Sequence, residues 1–180
     1  MFKRKWALVN TMVSNKPPIG ELIMAPFFAL LVAYAVARAW TGVRYQSDPG
    51  IRAARVALAA MFVLTGVAHF VSTEAMVQML PPFMPGRVTA VYVTGVIELI
   101  AAALLLSRVA RPMPWLGWAL AAFLLALLPA NIYSAVAQVG LGGHGTAYLW
   151  FRVPLQLFFI GWALMATGAL QSRTSAVAVA

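Results

Sequence analysis

Polar residues in this chain come in short clusters, and five apolar stretches lie between them, at residues 22–40, 56–71, 88–107, 115–138 and 147–170. About 20 residues cross a bilayer core as a helix, so these stretches use most of the chain and leave no room for a separate catalytic domain. The predicted fold class is all-α, a transmembrane four-helix bundle made by the last four stretches with an additional N-terminal helix. There is no long repeat, low-complexity tract or nucleotide-binding fingerprint.

The intervening segments divide the chain into a basic N-terminus, extra helix and linker (1–54) and a four-helix membrane domain (55–180). Lys3, Arg4 and Lys5 resemble the start of a signal peptide, and Pro17, Pro18 and Gly20 then turn the chain. The apolar run does not follow at once and ends without a cleavage context, so 22–40 reads as a retained helix. Residues 41–55, with Arg44, Arg52, Arg55 and the turn signal Asp48-Pro49-Gly50, read as a linker. In 72–85, Ser72 can cap a short helix carrying Glu74 in its first turn. Met76, Met79 and Leu80 share one face of that helix, and Pro81, Pro82 and Pro85 end it. This reads as a segment lying on the membrane. Residues 108–114 form a basic turn. The glycine-rich loop 140–145, which holds His144, is a flexible turn and not a phosphate loop.

Composition strengthens the membrane reading. The chain is 63% hydrophobic and 9% charged, against about 45–50% and about 25% in soluble domains. The net charge of +9 would suggest nucleic acid in a soluble protein. Here the basic residues sit between apolar segments, so topology and lipid headgroups account for them, and no nucleic-acid partner is expected. Arg44, Arg52, Arg55, Arg108, Arg111 and Arg173 fall on one side of the core and Arg87 on the other. That asymmetry predicts an integral protein of a bacterial cytoplasmic (inner) membrane, with the C-terminus cytoplasmic and the proline-rich segment and the His144 loop facing outward. The N-terminal lysines disagree if 22–40 spans. That stretch is nevertheless apolar nearly all round, which favours burial in lipid or in the bundle. The absence of cysteine excludes disulfides, thiolate metal sites, iron–sulfur clusters and dithiol chemistry carried by this chain.

Chemistry is therefore sought among polar residues at membrane depth. Glu98 lies roughly 15 Å below the outer end of its helix and Arg152 roughly 8 Å below the outer end of its own, a gap that an arginine side chain bridges. Gln156 is one turn below Arg152. Asn131 sits in the outer half of the third core helix, and His69 lies near the outer end of the first, one turn above Thr65. The expectation is a Glu98–Arg152 pair with Asn131 and Gln156 in hydrogen-bonding reach and His69 nearer the mouth. Such a cluster either fixes helix register, lines a binding or redox-partner site, or relays protons. No metal ligand set or catalytic residue is assigned. His69 and His144 share a side, but two histidines make a weak case for haem or metal. Trp115, Trp118, Tyr148 and Trp150 fit an interfacial belt. Gly66, Gly95, Ala102 and Gly117 permit close helix approach.

The succession Gly66-Val67-Ala68-His69-Phe70, Leu80-Pro81-Pro82-Phe83-Met84-Pro85, Thr94-Gly95-Val96-Ile97-Glu98 and Leu128-Pro129-Ala130-Asn131-Ile132-Tyr133 resembles the DoxX family of small membrane proteins. The segment from Arg152 to Gln156 also fits, and the resemblance covers about residues 55–168. It implies a four-helix bundle. The resemblance together with the polar cluster leads to the expectation of an accessory role in an oxidoreductase system, with a redox protein partner and a quinone or lipid-like molecule held at His69, Glu98, Asn131, Arg152 and Gln156. A small transporter or ligand-binding protein, or a membrane chaperone or scaffold, are the alternatives. Oligomeric state, including a homo-oligomer, is left open.

Overall fold

A computed structural model describes residues 19–44, 49–107, 111–142 and 145–170. The order is α1 (Ile19–Arg44), α2 (Pro49–Val71), the short α3 (Thr73–Gln78), α4 (Arg87–Ser107), α5 (Pro114–Ala137), two single 3₁₀ turns (Gly140–Gly142 and Thr146–Tyr148) and α6 (Leu149–Thr167). No strand occurs among the described residues. Four helices, α2, α4, α5 and α6 with the turn before it, are long and apolar enough to cross a membrane. Between 28% and 44% of each span is buried inside the protein. The rest presents side chains such as Val63, Val67, Val93, Ile100, Leu125 and Leu157 outward, a surface that lipid covers at no cost.

Helix α2 is the centre of the arrangement. It packs against α1, α4 and α6, and α6 packs against α5. Helices α4 and α6 both lean on α2 and not closely on each other. Leu58, Phe62, Leu105, Leu116, Leu120 and Phe159 fill the space between them. Helix α1 joins the same core through Leu30. Its Phe27 and Tyr34 rings meet Phe158 and Trp162 of α6 edge-on, with centroids 5.7 Å and 5.2 Å apart. The N-terminal helix thus shares the hydrophobic core of the bundle.

Two small-residue contacts set the helix spacing. A methyl group on Gly95 of α4 would lie 2.7 Å from Cβ of His69, and one on Gly66 of α2 would lie 3.0 Å from the Leu99 side chain. A methyl group on Gly117 of α5 would lie 2.1 Å from Oγ1 of Thr167. These glycines let backbones approach where any side chain would hold them apart.

Several boundaries differ from the sequence reading. The expected linker 41–55 is mostly helix: α1 runs on to Arg44, and α2 starts at Pro49. Proline is preorganised for a first helical position and lacks only an N–H that the first turn leaves unpaired. Ser72 precedes α3 but makes no side-chain cap. Thr73 instead bonds back to the carbonyls of His69, at 2.7 Å, and Phe70. Helix α6 starts at Leu149 after a 3₁₀ turn and ends at Gly168, whose φ of +78° is the left-handed C-cap that glycine favours.

Candidate functional site

The two ends of the bundle are built differently. At the end carrying Arg55 and Arg111, the chain is tied by backbone acceptors. Arg55 is 2% exposed. Its Nε donates to the carbonyl of Ala166 and its Nη1 to the carbonyl of Arg111. Trp162 Nε1 donates to Ala54 O at 3.1 Å, and Met113 N–H to Thr167 O at 2.9 Å. Arg55 had been expected among the linker charges. Its position two turns into α2 carries it inside, where it gathers the last turn of α6 and the turn before α5.

Toward the other end, the close approach at Gly66 and Gly95 brings His69 of α2 onto α4. His69 Nε2 lies 3.8 Å from Glu98 Oε1, and His69 Nδ1 lies 3.2 Å from Thr94 Oγ1. Thr94 also reaches the carbonyls of Ala90 and Val91 at 3.0 and 2.9 Å. The single hydroxyl proton serves one partner at a time, so the direction of the Thr94–His69 bond follows the imidazole tautomer; Nε2 is the nitrogen that faces the carboxyl group. Glu98 is 4% exposed, and its second oxygen, Oε2, is buried without a hydrogen-bond partner. The 3.8 Å separation is beyond hydrogen-bond length. Neither carboxyl oxygen is therefore saturated, in a setting where an unmade bond is costly.

The expected Glu98–Arg152 pair does not form. Glu98 pairs with His69, and among the described residues no ion pair joins it to Arg152. The reason is lateral. The two residues lie at compatible depths, but α4 and α6 contact α2 and not closely each other. Arg152 Nη1 instead donates to Gln156 Oε1 at 3.0 Å, and Gln156 Nε2 donates to Leu124 O at 2.6 Å. Asn131 was expected near the pair but bonds back to Leu127 O in its own helix. Thr65 likewise bonds to Met61 O. The predicted site residues thus separate into a His69–Glu98 pair between α2 and α4 and an Arg152–Gln156 pair between α6 and α5, with Asn131 in neither. His144 lies outside the described residues.

Thr94 belongs to the first pair and was not selected from the sequence. Its spacing of four from Glu98 puts both on one helix face, which was the available signal. Among the described residues, no group of three or more His, Cys, Asp or Glu side chains could hold a metal ion. A groove lined by Ala33, Val36, Ala37, Trp40 and Val56 is wholly apolar and away from both pairs. It offers van der Waals contact to lipid and no chemistry.

In comparison with known proteins, a family model described as a domain of unknown function (DUF8561) matches residues 58–167. No curated protein and no solved structure matches.

Proposed function

The chain belongs to the DUF8561 family, whose match covers the helices carrying both polar pairs, and we propose that it is an integral membrane accessory subunit of an oxidoreductase system that holds a quinone-type molecule at His69 and Glu98. The observation that carries this reading is the buried, unpartnered Oε2 of Glu98 beside the His69 imidazole. A quinone carbonyl needs a hydrogen-bond donor, and the corresponding hydroxyl needs an acceptor. A carboxyl group serves as either, according to its protonation, and His69 Nε2 can take or return the proton involved. When bound, a quinone would supply two-electron redox chemistry. This chain's residues would position its head and hold a proton at His69 Nε2 or Glu98. With no cysteine to carry thiol or iron–sulfur redox chemistry, electrons would come from or go to a partner protein. The resemblance to DoxX-like proteins points the same way.

The test is titration of a short-chain benzoquinone into the protein in lipid nanodiscs, followed by quenching of tryptophan fluorescence. Saturable quenching that disappears in Glu98→Leu, with the thermal transition retained, is the expected result. Saturation that is absent, or unchanged in Glu98→Leu, would overturn the reading.

A further inference from the structure

Arg152 is the other charge at membrane depth, and its surroundings are those of a held cation without a counter-ion. One guanidinium nitrogen is fixed by Gln156 Oε1 at 3.0 Å. Gln156 is 2% exposed and is itself anchored to the Leu124 carbonyl. This two-bond chain costs conformational freedom in two long side chains and aims the rest of the guanidinium. No acidic residue among the described ones pairs with it. Glu98 faces His69, and Glu74 is exposed on α3. The helix around Arg152 is apolar. Trp150 is 86% exposed, Phe151 is exposed beside it, and the Tyr148 ring packs on Phe151 with centroids 6.4 Å apart. Exposed aromatic residues at a helix end mark the level of the lipid headgroups, and Arg152 sits one helical turn from that end.

We propose that Arg152, oriented by Gln156, is a binding site for a phosphate oxyanion, supplied by the headgroup of an anionic phospholipid. Three features favour this occupant. A guanidinium fork matches phosphate oxygens bidentately. The site lies within one turn of the helix start, beside the exposed Trp150 and Phe151 rings, as the headgroup level would require. The immobilised geometry also differs from that of an arginine that simply snorkels to water, since snorkelling needs a free stem and this one is tied at its tip to a buried amide. The site is separate from the His69–Glu98 pair and does not rest on the quinone reading.

The experiment is native mass spectrometry of the protein released from detergent containing phosphatidylglycerol, phosphatidylcholine or inorganic phosphate alone. Phosphatidylglycerol should be retained by the wild-type protein and lost about tenfold in Arg152→Gln, in keeping with removal of a bidentate charge-assisted contact. Arg87→Gln removes a charge near the same end and should change retention little. Gln156→Leu keeps the charge but frees the guanidinium, so it should weaken retention several-fold. Circular dichroism and thermal melting establish that each variant is folded. If Arg152→Gln does not fold, Arg152→Lys and Gln156→Leu carry the test. Three results would each overturn the proposal: phosphatidylglycerol retention equal in wild type, Arg152→Lys and Gln156→Leu; equal retention of phosphatidylcholine; or displacement of lipid by millimolar inorganic phosphate, which would indicate a free-anion site.

Discussion

Arg55 and Glu98 are both ionisable and both almost fully buried, one on the central helix α2 and the other on α4 packed against it, yet their surroundings are opposite. Arg55 donates to the carbonyls of two different segments. Glu98 has one oxygen at 3.8 Å from an imidazole and another with no partner. Burial of charge alone therefore does not distinguish scaffold from site. Saturation does. A buried ion that satisfies backbone acceptors is part of how the chain holds together, and removing it exposes unmet bonds. A buried carboxyl group left with an open oxygen already bears that cost, and its retention calls for a reason outside the fold.

The comparison can be broken by stability measurements in detergent or bicelles. Arg55→Leu should have the largest effect, a loss of about 3–5 kcal/mol, since two carbonyls would lose charge-assisted donors worth about 1.5–3 kcal/mol each. Equilibrium unfolding reads it directly, and a loss below 1 kcal/mol would mean that the clamp is incidental. Gly95→Ala should come next, at about 1–3 kcal/mol, the usual cost of forcing extra volume into a packed contact. Its methyl group has nowhere to go but against His69, at 2.7 Å. Because the helices must part, the same variant should also weaken benzoquinone binding, while a Gly117→Ala change at the α5–α6 contact should destabilise without that selectivity.

Thr94→Val should cost about 1 kcal/mol, the net worth of one hydrogen bond. It removes the hydroxyl that faces His69 Nδ1 at 3.2 Å, so the ring's ¹⁵N chemical shifts should move. An unchanged ring spectrum would show that Thr94 does not set it. Glu98→Met should have the smallest effect on stability, within about 1 kcal/mol of wild type or on the stabilising side, as expected when a poorly satisfied buried charge gives way to a side chain of similar volume. A loss approaching that of Arg55→Leu would place Glu98 with the scaffold and remove the physical basis for calling its surroundings a site.

The sequence was most legible where a property accumulates along a helix. Length and apolarity named the four spans, three of them to within a few residues and the first starting at 56 where α2 starts at Pro49, and Gly66, Gly95 and Gly117 were correctly taken as contact points. It was less legible where local signals conflicted. Asp48-Pro49-Gly50 reads as a turn, but a proline starts a helix as readily as it ends one, so the linker was drawn too long and Arg55 was left in it. The site was half legible. Gln156 was placed on the face of Arg152 because residues four apart in one helix share a face, but Arg152 was given to Glu98, which the structure gives to His69. Asn131 was misplaced because a carbonyl one turn away in its own helix is an acceptor that no cross-helix argument takes into account.

What the sequence determined alone is position along each helix. A helix rises about 1.5 Å per residue whatever surrounds it, so counting along the chain gives how far from its helix end each of Glu98, Arg152, His69 and Asn131 sits. Partnership was decided only by the tertiary structure, because it depends on the order of the helices around the bundle and on their rotation, which no count along a chain contains. Glycine-to-glycine contact drew α4 against α2 and gave Glu98 to His69. The packing of α6 on α5 gave the Gln156 amide to the Leu124 carbonyl. Glu98 and Arg152 therefore ended on helices that do not pack closely together.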